Sequence, residues 1–210
     1  MARTRSENYD DIRQSILTGA VNLISRQGYT RTTVAELADA CKLSRGALYH
    51  YFDSKEAILF AILDTHVRDL IARLDTSLLG ISDPYLKFQR AVRTIVEINA
   101  KSPKEQRILL YDIKFLSKTE QKAIYDLERR IVDKMAECLV HLDRKHNITA
   151  RTRKVYTMLV FGMINYTFTW FDPKGEVSPA EFADMAVQLF LNGLHSKLAT
   201  TSSSENRKSA

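Results

Sequence analysis

An all-α fold is what this sequence predicts, and three observations predict it. Apolar residues recur three and four positions apart along most of the chain, with no strand-like alternation. Capping residues stand where those patterns begin: Asp83 before Pro84, Ser102 before Pro103 and Ser178 before Pro179. The stretch TTVAELADACKLSRGALYHYF, residues 32–52, reads as two short helices joined by a tight turn. The expected architecture is an N-terminal three-helix helix-turn-helix domain followed by a larger helical domain, about nine helices in total.

Residues 1–7 are short, polar and charged, and read as a mobile start whose Arg3 and Arg5 reach DNA on binding. The first helix is expected over 8–26, capped by Asn8 and buried through Ile12, Ile16, Ala20, Leu23 and Ile24. Gly28 stops it, and Tyr29 packs back. Thr32 or Thr33 caps the second helix, where a threonine can also bond a phosphate oxygen. Val34, Leu37, Ala38 and Cys41 form the apolar stripe of that helix, and Ala38 is small where another helix must cross. Lys42-Leu43-Ser44 breaks the pattern, and Ser44 caps the third helix. From there Ala47, Leu48 and Tyr51 point inward, and Arg45, Gly46, Tyr49 and His50 point outward. An outer face with a cation, a phenol and an imidazole, but little to bury, suits a DNA major groove.

These residues also carry a family resemblance. Thr32-Thr33-Val34, Ala38-Asp39, the run from Leu43 through Ser44-Arg45-Gly46-Ala47-Leu48-Tyr49-His50-Tyr51 to Phe52, and Ser54-Lys55-Glu56 resemble the signature of the tetracycline-repressor (TetR) family. The likeness is specific over about residues 8–65. It implies DNA contact by Thr32, Thr33, Lys42, Ser44, Arg45, Gly46, Ala47, Tyr49, His50, Tyr51 and Lys55. It also implies that the second domain binds a ligand and dimerises. One position departs from the pattern: Lys42 stands where such motifs usually have glycine. A left-handed backbone there costs about 1 kcal/mol relative to glycine, and the lysine adds a charge near a phosphate.

The rest of the chain reads as further helices. Asp53 with Glu56 fits a capping box for a long helix over 54–79, the natural connection between DNA reader and second domain. Helices follow over 84–100, over 103–116 with Ser102 and Glu105 as a capping box, and over 119–145. Residues 153–171 are apolar nearly all round, so one long helix there is buried on several sides or covered by a partner chain. After the turn at 172–175 comes the last helix, opened by Ser178 and Glu181. The domains expected are 1–55 for DNA binding (motif 32–51), 56–199 for ligand binding and dimerisation, and a disordered tail at 200–210. The last two helices offer more apolar surface than one domain needs, and two copies make a four-helix bundle.

Tyr111, Phe115, Tyr125, Phe161, Asn165, Tyr166 and Trp170 lie on helices expected to converge, and suit an apolar cavity with a few polar groups. The segments 171–178 and 189–194 look like a subset of the family whose effectors include acyl-CoA thioesters or related lipids. Arg129, Arg130, Arg151, Arg153 and Lys154 are then the cations available to phosphates.

The net charge of +6 is mild, so a DNA footprint must come from local placement of cations. No apolar run approaches the ~20 residues that cross a bilayer, and the expected location is the cytoplasm. Cys41 and Cys138 sit in helical patterns without metal spacing and read as buried thiols. The histidines, His50, His66, His141, His146 and His195, share no ligand spacing, and no phosphate loop or nucleophile elbow occurs, so neither a metal, a cofactor nor an enzyme is expected. The leading reading is a repressor that binds a palindromic operator as a homodimer and is released by a small apolar effector. The alternatives are an activator of the same fold and a helical protein-binding module without DNA.

Overall fold

The computed structural model of the protein describes residues 2–143 and 147–195, with side chains described over 9–143 and 147–194. The expectations for the tail at 200–210 and for the side chains of Arg3 and Arg5 lie outside them. The described residues form α1 Ala2–Gln27, α2 Val34–Ala40, α3 Arg45–Tyr51, α4 Lys55–Leu78, α5 Pro84–Lys101, α6 Pro103–Asp112, α7 Lys118–Leu142, α8 Arg153–Ile164 and α9 Pro179–His195. Two single 3-10 turns stand at Ile113–Phe115 and Thr167–Thr169. Among the described residues there is no strand.

Helices α1 to α3 build a small head around Ile16, Leu37 and Leu48, all fully buried. Helix α4 leaves this head and enters the body, packing on α1 at one end and on α5 and α7 beyond it. Ile58, Leu59, Leu63, Val67 and Leu74 are buried along its whole length, so one apolar core runs from head to body. Helices α5 and α9 form the most extensively packed pair of the body. Arg93 Nε and Gln89 Nε2 on α5 donate to Asp184 Oδ1 on α9, at 2.6 and 2.8 Å. Arg93 holds the other carboxylate oxygen as well.

Several element ends differ from the sequence expectation. Helix α1 begins at Ala2, not at Asn8. The residues before Asn8 include no glycine or proline to stop it. Ser54, not Asp53, caps α4 and accepts from the Ala57 amide. Glu56 is thereby free to receive the Tyr29 hydroxyl at 2.8 Å. Ser102 closes α5 and opens α6 in one residue, and its ψ of 51° keeps the hydroxyl from capping. The expected box with Glu105 is absent. Ser117 with Glu120 makes the capping box of α7, which begins at Lys118 instead of 119. The expected helix over 153–171 ends at Ile164. There the hydroxyls of Thr167 and Thr169 bond the carbonyls of Ile164 and Tyr166, an alternative to continued helix. The cap of α9 is as expected: Ser178 and Glu181 bond each other's backbone N–H.

Candidate nucleic-acid interface and cavity

The head presents α3 by spending its other polar groups locally. Thr33 caps α2 in a full capping box: Glu36 Oε2 accepts from the Thr33 amide at 2.8 Å, and Thr33 Oγ1 accepts from the Glu36 amide at 3.2 Å. The bond from the Thr33 amide leads in holding the Glu36 carboxyl below its ordinary range. Helix α2 ends in a Schellman turn, with Leu43 N–H on the Ala38 carbonyl at 2.9 Å and Lys42 N–H on the Asp39 carbonyl at 3.0 Å. Its left-handed residue is Lys42, at φ 56°, where the sequence departs from glycine. The Lys42 side chain is exposed.

Ser44 then caps α3, accepting from the Ala47 amide at 3.1 Å. Leu48 is buried and Ala47 and Tyr51 are half-buried, while Arg45, Gly46, Tyr49 and His50 are exposed. The inward and outward sets are those the spacing predicts. Tyr49 is 49% exposed, a large ring with no core to enter. A Cβ on Gly46 would meet only the Ser44 hydroxyl, at 4.0 Å. Internal packing therefore does not require glycine there; close approach by another molecule's backbone would. Sequence reasoning missed Tyr9 of α1, which packs its ring on Tyr51 at 4.7 Å and lies edge-on to His50 at 6.1 Å. Arg13 also stacks on Phe52, 4.9 Å from the ring centre. These contacts fix the C-terminal end of α3, and only tertiary packing reveals them.

Two of the expected contact residues have internal partners. Thr32 is buried, and its hydroxyl donates to the Gly28 carbonyl at 2.9 Å. Its side chain therefore serves the fold. Lys55 Nζ donates to the carbonyls of Tyr29 and Thr32, at 3.2 and 3.0 Å, and lies 4.2 Å from the Tyr29 ring centre. Two of its three N–H bonds are thus taken internally. Tyr29, half of this clamp, stacks on Phe115 of the body at 5.0 Å. Burial leads in pushing the Tyr29 phenol up, and the Tyr29 hydroxyl leads in holding Glu56 down.

The body forms a half-open cavity of about 390 Å³ between α4, α5, α6, α7 and α8. Of the expected ligand residues, Tyr125, Phe161 and Asn165 line it. The other four lie elsewhere. Phe115 stacks on Tyr29 at the head. Tyr111 and Tyr166 both pack on Phe168. Trp170 is 64% exposed, edge-on to Phe171 and Phe182. The early end of α8 is what moves the last two out of the convergence. The sequence reading missed Asn99, Gln106 and Glu128, which line the same space. An asparagine four residues after Ile95, on a buried face, was the available signal. His66 of α4 meets Gln106 at 3.4 Å, and burial leads in lowering its basicity. Glu128 is half-buried, and burial pushes its carboxyl up. Among the described residues no group of three or more His, Cys, Asp or Glu side chains is placed to hold a metal. None of the described helices is long and apolar enough to cross a membrane.

Both halves of this arrangement match one family. Residues 16–62 match the model of bacterial regulatory proteins of the tetR family, and residues 82–194 match the tetracyclin repressor-like C-terminal domain. The chain belongs to the TetR family of transcriptional regulators. A TetR-family regulator from Bordetella parapertussis 12822 is 38% identical, with TM-score 0.82 over 86% of this chain and 94% of that one. AibR, solved with isovaleryl coenzyme A and operator DNA, shares the fold at 24% identity and TM-score 0.75, covering 85% of this chain and 97% of that one. The transcriptional regulator HbdR of Aromatoleum sp. (strain CIB) is 32% identical over 87 residues, 40% of this chain and 36% of HbdR. The first curated relatives are matched over 20–36% of their own length. The TetR assignment thus covers head and body together.

Proposed function

We propose that this TetR-family regulator is a repressor that holds a palindromic operator as a two-fold dimer and releases it when a small amphipathic molecule fills the body cavity. The observation that carries the reading is the outer face of α3: a fixed, capped helix with Arg45, Gly46, Tyr49 and His50 exposed together. Arg45 is the base-reading side chain, since its guanidinium pairs with two acceptors of guanine. Thr33, Lys42, Ser44 and Tyr49 serve phosphates beside it, and Lys55 has one N–H left for the same task.

The dimer forms through α8 and α9. Val155, Met158, Leu159 and Gly162 are exposed at helical spacing on α8, and Met185 and Leu189 on α9. Leu159 is 54% and Leu189 66% exposed, a stripe suited to a second copy. Residues 1–55 read DNA, and residues 56–199 sense and dimerise. AibR holds an acyl-CoA and DNA on this fold, but at that identity only the architecture transfers.

Release is a population shift. The effector favours the dimer form whose heads no longer fit the half-site spacing, in proportion to its affinity difference between the two forms. The test is selection of duplexes from a random pool by the purified protein, followed by salt titration. A palindromic site whose affinity falls steeply with salt is expected. No enrichment over shuffled DNA would overturn the reading.

A further inference from the structure

We propose that the effector, on the reading just given that the cavity is the sensing site, is an anionic amphiphile whose apolar chain ends in a hydrogen-bond donor received by Asn99. A hydroxyl is the smallest such group. Asn99 lines the cavity and is 1% exposed. Its Nδ2 lies 3.5 Å from the Ile164 carbonyl, which also accepts from Thr167 Oγ1 at 3.2 Å. Turning the amide over would set two oxygens against each other, so that carbonyl fixes the amide's orientation. Asn99 Oδ1 is then the one buried side-chain oxygen or nitrogen without a hydrogen-bond partner among the described residues.

A buried acceptor left unpaired is costly, and native proteins keep few. Here it belongs to a residue of a largely apolar cavity walled by Val67, Leu70, Leu109 and Phe161. A donor on the ligand removes the penalty. The cavity has a polarity. Arg129 and Lys154 line it and are exposed, so they stand at its wet end. They supply the charge for a carboxylate or phosphate. Glu128, which precedes Arg129, lines the same cavity, and its burial favours the neutral carboxyl, which limits repulsion of an anion. A molecule with an anion at one end, an apolar middle and a donor at the other matches this order. The donor also bears on function: Asn99 ties α5 to the end of α8, so a ligand bonded to it acts on the helix proposed to make the dimer.

A site built to bond a ligand hydroxyl rejects the analogue lacking it far better than an apolar pocket rejects a methylene. The test uses matched acids on the full-length protein: octanoate, decanoate and dodecanoate, each against its ω-hydroxy analogue, by calorimetry. In the length that binds best, the hydroxy acid is expected to bind about tenfold tighter or more. Asn99→Leu should abolish that preference and bind the plain acid at least as well as the wild type. Equal affinities within every pair, or a preference that survives Asn99→Leu, would overturn the proposal. So would failure of all six acids to bind a preparation that still binds selected DNA, an outcome that leaves the DNA reading standing. If Asn99→Leu does not fold, the wild-type comparison decides alone.

Discussion

The outer face of α3 and the outer faces of α8 and α9 are alike in situation and opposite in chemistry. Each is the unburied side of a helix whose other side enters the core. On α3 that side carries Arg45, Tyr49 and His50, which water solvates well. On α8 and α9 it carries Val155, Met158, Leu159, Met185 and Leu189, which water does not. Leaving apolar area wet forgoes roughly 25 cal/mol for each Å². The polar face can wait for a charged polymer at no cost, whereas the apolar face needs a permanent cover. On the proposed reading, the contrast separates a reversible contact with DNA from a constitutive one with a second copy.

Charging the apolar face gives the largest expected effect. Leu159→Asp with Met185→Asp should produce monomers in sedimentation and lower affinity for a two-half-site duplex by about 10²–10⁴-fold, the loss of linkage between two heads. Binding to one half-site should be unchanged. Loss of both would show that these residues serve the core instead. On the polar face, Arg45→Ala should cost about 1–3 kcal/mol at one base position and relax the preference there, read from competition with variant duplexes.

Lys55→Ala tests the line between reading and folding. Because the ammonium holds two carbonyls of the α1–α2 connection, its loss should lower stability by roughly 1.5–3 kcal/mol in denaturant titration. DNA affinity should fall uniformly across sequences. An effect on DNA without one on stability would mean that the internal bonds do not hold in solution.

Gly46→Ala sharpens the comparison from the other side. With open space at its Cβ, alanine should raise stability by up to ~1 kcal/mol, yet weaken binding to DNA. Improvement in both would remove close approach as the reason for glycine.

The smallest effect concerns acid. The Arg93 hydrogen bond leads in holding Asp184 below its ordinary range. A carboxylate depressed on folding adds stability that is present above its unfolded pKa, about 3.9, and lost as pH falls through the folded value. The wild type should therefore lose some α9 anchoring below about pH 4 that Asp184→Asn never has. Melting curves from pH 3 to 7 would show the two converging in acid.

The head was legible because its logic is local. Thr33, Lys42 and Ser44 act on residues within five positions, and the side that Arg45 and Tyr49 take follows from spacing. The cavity was not, because five helices from α4 to α8 contribute to it. Phe161 inside it and Phe115 outside it are indistinguishable as isolated aromatic residues. What separated Tyr166 and Trp170 from the cavity was the break after Ile164, where threonine hydroxyls compete with a strongly apolar pattern. The roles of Ser102 and Ser117 were missed for a related reason: a cap depends on the backbone angle at one residue, which composition does not report.

Helix α4 runs 24 residues without interruption, about 36 Å at 1.5 Å per residue. Rigid tilting by only about 5° would sweep its tip through ~3 Å, close to the rise of one base pair. Two such tips facing each other across a dyad would part or approach by twice that amount. A tilt of that size would be enough to put the two heads of the proposed dimer out of step with the grooves.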